Sequence, residues 1–80
     1  MVEGRYVLMI DLLHGNIEVG NSIASAHRRG DVAEMRVGKV LELFPESDEL
    51  LVEWVHSSAP GGYIPQRPTK VRAGRAVVLA

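Results

Sequence analysis

Ser22, Ser25 and His27 lie within six residues of one another, and a serine near a histidine is the raw material of nucleophilic catalysis. On an extended strand Ser25 and His27 share a face, about 7 Å apart. That is too far for the hydrogen bond by which an imidazole activates a hydroxyl, and no glycine-flanked nucleophile elbow surrounds either serine. They read as polar positions on a solvated or lightly packed strand. Metal chemistry fares little better. His14, His27 and His56 have no ligand-like spacing, and the chain has no cysteine to assist them. A site assembled in three dimensions would draw on Asp11 or Glu53. His56 is expected to be partly buried, with one nitrogen satisfied. The stretches "APGG" and "VEGR" lack the lysine and the strand–helix setting of a phosphate-binding loop. "RGD", residues 29–31, belongs to a hairpin turn rather than an adhesive loop. No motif implies a cofactor.

Charge is more informative. Arg67, Lys70, Arg72 and Arg75 fall within nine positions that hold no acid, and His27, Arg28 and Arg29 can join them from a neighbouring turn. Glu42, Glu46, Asp48, Glu49 and Glu53 gather around the opposite hairpin. The net charge is only −1, so charge is polarised without a global pull toward nucleic acid or anionic lipid. A basic face can lie on phosphates, each neutralised one adding a salt-dependent contribution. Single-strand binding also wants exposed aromatic rings, and Tyr63 alone is a candidate. The same faces serve equally as an electrostatic protein interface. They also serve as plain solvated surface, where a cross-strand pair such as Glu53–Arg36 adds at most about 0.5 kcal/mol.

The elements that must carry these side chains are strands. "SIASAHR", Ser22–Arg28, leads into the Gly-containing turn at 29–31. "VAEMRVGKVLELF", Val32–Phe44, follows, with Gly38 in its middle. Met35 and Val37 alternate, whereas Val40 and Leu43 are three apart, so a bulged and bent strand is expected at the glycine. "PESDE", Pro45–Glu49, is a turn, and Leu50–Ser57 is the next strand. Its Val52, Trp54 and His56 share one face, assigned inward because burying a Trp removes about 200 Å² from water. The loop Ser58–Pro68 holds three of the four prolines, which excludes a helix or central strand there. Tyr63 and Ile64 are expected to tuck it against the body. After it Lys70 and Arg72 point out, Val71 and Ala73 point in, and "AVVLA" closes the chain as a last strand.

Eighty residues make one domain near the lower limit for a self-sufficient core, and the composition is that of an ordinary globule. The absence of cysteine permits a cytoplasmic location. "YVLMIDLL", residues 6–13, is too short to span a bilayer. It also lacks the flanks of a signal peptide, having Glu3 beside Arg5 and no small-residue cleavage site after it. This arm, residues 1–18, leans toward a strand over a short helix, and Met9 offers an alternative start. Its apolar side chains either complete the core or form a self-association contact through Tyr6, Leu8 and Ile10.

The segments "VGNSIASAHRRG", "RVGKVLEL", "LLVEWVHSS" and "KVRAGRAVVL" together resemble the SH3-like barrel group that includes Tudor and KOW domains. In that group a Gly-Asp-x-apolar opening precedes the first strand and a Gly-x-Val-x-x-apolar strand follows. Here Gly20, Asn21, Ser22 and Ile23 stand at the first, with Asn for Asp, and Gly38 to Leu43 at the second. The resemblance covers residues 19–80. It implies an all-β fold, a small SH3-like barrel of about five strands preceded by the N-terminal arm. The methyl-ligand cage of Tudor domains is not matched by Tyr6, Phe44, Trp54 and Tyr63. More narrowly, the arrangement is similar to small proteins of bacteriophages infecting actinobacteria, which implies a host-directed role.

The resulting expectation is a non-enzymatic protein-binding accessory module, acting on a host factor or on itself, with no membrane role. Its acidic face is Glu46, Asp48 and Glu49. The alternative is a nucleic-acid-binding barrel using Arg28, Arg29, Arg67, Lys70, Arg72 and Arg75. A structural subunit of a larger assembly is the third reading.

Overall fold

A computed structural model describes residues 7–13 and 15–79. Six antiparallel strands form a single sheet: β1 (Val7–Met9), β2 (Ser22–Arg29), β3 (Val32–Phe44), β4 (Glu49–Ser57), β5 (Thr69–Arg72) and β6 (Ala76–Leu79). Their spatial order is β1-β6-β2-β3-β4-β5. Strands β2 to β5 are a meander, and a short 3₁₀ turn at Ala73–Arg75 carries the chain back so that β6 pairs with β2. These five strands curl into a half-barrel, compatible with an SH3-like barrel, and β1 adds a short strand outside β6. No α-helix occurs among the described residues, and none of their helical turns is long and apolar enough to cross a membrane.

Turn chemistry sets the register. Arg29 pairs with Val32, leaving a two-residue loop in which Gly30 adopts a positive φ of 61°. At the next hairpin Phe44 pairs with Glu49, and Asp48 takes the left-handed conformation that Asp tolerates better than most residues. The Asp48 carbonyl then accepts a hydrogen bond from the Ala73 N–H, at 2.9 Å, pinning the 73–75 turn to this hairpin. Before β2, the Asn21 side-chain oxygen accepts from the Glu18 N–H at 2.8 Å.

The bend at Gly38 is built from two bulges on opposite strands. Val37 pairs with His56 but Gly38 with Trp54, so Val55 is the extra residue on β4. Val40 pairs with Val52 but Glu42 with Leu51, so Leu41 is the extra residue on β3. Each bulge bends its strand and strengthens the local twist. The Leu41 bulge explains why Val40 and Leu43, three apart, both meet the core.

That core is Ile23, Val40, Leu50 and Val52, all fully buried, with Trp54, Val71, Ala73, Ala76 and Val78 around them. Segment 7–17 joins it: β1 pairs with β6, and Ile10 and Ile17 are buried in the same cluster. Trp54 faces inward as its size demands, and Lys70, Val71, Arg72 and Ala73 alternate out and in as expected.

Several side chains lie elsewhere than their spacing suggests. His56 is exposed, because the Val55 bulge reverses the alternation and turns Ser57 inward instead. Met35 is exposed, while its neighbours Glu34 and Arg36 face the interior. Tyr63 is half exposed, while its neighbour Ile64 packs onto the core. Arg36 does not reach Glu53, which lies opposite Lys39; its partner is Glu34.

Candidate functional site

The inner face of the half-barrel changes character along its length. On β2 the inward series runs Ile23, Ser25, His27, and the register sets Ser25 opposite Arg36 and His27 opposite Glu34. The apolar core therefore gives way to a polar end. There the Glu34 carboxylate, almost wholly buried, accepts from Arg36 Nε at 3.1 Å and from the Ser57 hydroxyl at 2.8 Å. Ser57 Oγ in turn accepts from the Ala59 N–H. Trp54 separates this network from the core. Arg36 stacks over its ring at 5.7 Å, and His27 meets it edge-on with centroids 5.4 Å apart. Its Nε1–H donates to Thr69 Oγ1 at 2.7 Å, tying the start of β5 to β4.

Ser25 and His27 do share a face, but they make no catalytic pair. Ser25 Oγ and His27 Nε2 are both buried without a hydrogen-bond partner, so neither serves the other. Burial holds the His27 pKa below its ordinary 6.5, the Arg36 guanidinium pushes the same way, Glu34 opposes, and Arg75 adds a further push down. The unfolded chain thus takes up a proton at this residue before the folded chain does. Stability from His27 is whole above about pH 6.5 and is lost as pH falls through the lower folded value. Urea midpoints measured at about pH 8 and about pH 5.5 should differ less in His27→Gln than in the natural sequence. An equal difference in both would assign the acid sensitivity to other groups.

Four of the six basic residues singled out from the sequence gather beside this polar end. Lys70 and Arg72 from β5 and Arg75 from the 73–75 turn line a pocket of about 370 Å³ together with Ser25, His27, Val71 and Glu49. Arg28 and Arg75 line an adjoining hollow of about 480 Å³ with Ala26, His27 and Ala33. Lys70 Nζ lies 4.3 Å from the centre of the Phe44 ring, a cation–π contact that fixes its charge at the wall. Arg29 ends β2 at the hairpin, and Arg67 lies apart on the 58–68 loop.

The acidic set is divided. Glu46 and Asp48 are exposed in the Pro45–Asp48 turn, but Glu49 faces Arg72 across β4 and β5 and lines the basic pocket. Of the arm residues, Leu8 pairs with Val78 in the sheet, Ile10 is 7% exposed within the core, and Tyr6 lies outside the described residues, as does His14. Among the described residues no three His, Asp or Glu converge as a metal-binding group.

A second feature joins β4 to a loop that residue spacing does not place beside it. Between β4 and the 58–68 loop runs an open groove of about 640 Å³, lined by Glu53, Val55, Tyr63, Pro65 and Arg67 among others. Val55 is 60% and Tyr63 50% exposed there. Val55 points outward by simple alternation from the inward Trp54, and Gly61 and Gly62, at φ 79° and 70°, swing the loop around Tyr63. Comparison with family models, curated proteins and solved structures finds no match to this chain, so the likeness to phage proteins rests on the quoted residues alone.

Proposed function

We propose that the chain is a non-enzymatic, SH3-like binding module that takes a protein partner along the groove between β4 and the 58–68 loop. The observation that carries this reading is the joint exposure of Val55 and Tyr63 beside Pro65 and Arg67. Tyr and Arg are enriched at the centres of protein interfaces, where a large rigid ring fills a pocket at small entropic cost. The groove is also held in shape before any partner arrives. Ser58 exchanges two hydrogen bonds with Met35, the Ala59 N–H donates to Ser57, and the Gly62 N–H donates to the Ala59 carbonyl. A preformed loop loses less freedom on binding. If the chain is phage-encoded, as its resemblance implies, the partner is a host factor.

The second reading, nucleic acid, has the gathering of Arg28, Lys70, Arg72 and Arg75 in its favour. Among the described residues the basic pockets have no Phe, Tyr or Trp ring in their lining, since Tyr63 belongs to the other groove. The readings separate by capture from a host lysate with three baits: natural sequence, Tyr63→Ala, and Arg72→Ala with Arg75→Ala. Protein binding through the groove predicts a captured protein whose affinity falls about 30-fold with Tyr63→Ala and is kept by the double variant. Loss confined to the double variant, together with a salt-dependent response to short DNA or RNA, would replace it with the nucleic-acid reading.

A further inference from the structure

We propose that the seam between β5 and β2 binds a phosphate group as its dianion, held by Lys70, Arg72 and Arg75 above a floor of Ser25 and His27. The site is separate from the groove of the protein-binding reading and does not depend on it. It arises because the sheet does not close. Among the described residues β5 pairs with β4 alone, and the 73–75 turn crosses from β5 to β6 at one end of the gap. The gap is the pocket of about 370 Å³ described above.

Three observations converge there. The first is charge: three cations against the single carboxylate of Glu49 leave a double positive charge in the lining. A phosphate monoester near neutral pH carries about −1.5 to −2, which this balances; a carboxylate or a phosphodiester carries half of that. The second is availability. The Arg72 and Arg75 side chains are exposed and make no hydrogen bond or ion pair among the described residues, so their forks are free to take phosphate oxygens bidentately. The third is the floor. Ser25 is 1% exposed and lines the pocket, yet its hydroxyl has no partner, and neither has His27 Nε2. Buried polar atoms are almost always paired, and an unpaired pair at the base of a basic pocket is the arrangement a bound oxyanion satisfies. A ring nitrogen carrying hydrogen and a rotatable hydroxyl both donate to such an oxygen.

The charged groups facing His27 are Glu34 and Arg36 from β3 and Arg75 from the 73–75 turn, with the Trp54 ring of β4 on its flank. A dianion in the pocket adds negative charge beside the imidazole and raises its pKa. Phosphate binding is therefore legible as a saturable upward shift of the His27 titration at constant ionic strength, where screening by loose ions does not change.

The test is an amide and imidazole NMR titration of the full chain at constant ionic strength. The probes are inorganic phosphate, phenyl phosphate and dimethyl phosphate, with chloride as the control. Saturable shifts at Ser25, His27 and residues 70–75, with a raised His27 pKa, are the expected result for the two dianions. Tighter binding of phenyl phosphate identifies an esterified source, and tighter binding of inorganic phosphate a free one. Arg75→Gln, an exposed position, should weaken binding about tenfold with the rest of the spectrum unchanged, and Ser25→Ala should weaken it severalfold. Shifts that match those of chloride overturn the proposal. So does dimethyl phosphate binding as tightly as phenyl phosphate, or Arg75→Gln binding like the natural sequence.

Discussion

Gly38→Ala lowers the stability of the protein by about 3 kcal/mol, a large share of the total for a domain of this size. A methyl group at this position would stand 2.5 Å from Val52 Cγ1, 2.6 Å from the Glu53 carbonyl oxygen and 3.0 Å from Trp54 Cε3. None of the three can give way cheaply. Val52 is fully buried and stiff at χ1, the carbonyl is main chain of the neighbouring strand, and Trp54 is fixed by its bond to Thr69. Relief must come from the β3–β4 ladder itself, at the point where its two bulges already bend it. Thermal unfolding should fall by roughly 15 °C. Gly74→Ala is the control, because nothing lies within 4 Å of a Cβ there and its effect should stay within about 0.5 kcal/mol. Equal urea midpoints for Gly38→Ala and the natural sequence would mean that the strands separate freely at the bend. The close approach also has a functional side. It lets Trp54 lie directly beneath β3, where it lines the groove and holds β5, whose Lys70, Val71 and Arg72 line the seam.

The strands are legible in the sequence because their signals are chemical. β-branched runs end at Gly30 and Pro45, a lone glycine marks the bend, and a single Trp must find the interior. The face of each strand is less legible, because one bulge reverses it. No residue type announces Val55 as the extra position, yet it alone decides that Ser57 rather than His56 faces inward. On β3 the apolar residues Met35 and Val37 suggest one interior face, while the chain buries the opposite one, Glu34 and Arg36, because their charges satisfy each other and Ser57. The basic cluster was visible in its spacing. His27 was expected beside it, but Ser25 was not, since it stands more than forty residues before Lys70 and reaches the cluster only when the sheet curls. Whether Tyr63 is exposed or tucked in was open for another reason. A loop turned by Gly61 and Gly62 follows no periodicity that would say which side chain it exposes.

Replacing Glu34 by Ala should cost about 3 kcal/mol, for a reason opposite to that of Gly38: it removes an atom group instead of adding one. The Arg36 guanidinium is mostly buried, and the carboxylate accepts from it and from the Ser57 hydroxyl. Without the carboxylate, a cation and a hydroxyl are left in a dry interior with no acceptor, which is the expensive half of a buried ion pair. Taking both charges out together is a different experiment. Glu34→Leu with Arg36→Met fills the same space with apolar atoms, and such exchanges are commonly neutral or stabilising. The double variant should therefore be more stable than Glu34→Ala, and a thermodynamic cycle with the matched single changes, Glu34→Leu and Arg36→Met, should give a coupling of about 2 kcal/mol. A coupling near zero would show that water reaches the pair and that its burial has no energetic consequence. The two variants also bear on binding. Ser57 relays the network to the Ala59 N–H, at the start of the loop that carries Tyr63. If the ion pair exists to hold that loop, the apolar double variant will fold well and bind its partner poorly. If it binds as well as the natural sequence, the loop is held by the Met35–Ser58 hydrogen bonds, and the charges serve only to fix which face of β3 lies inside.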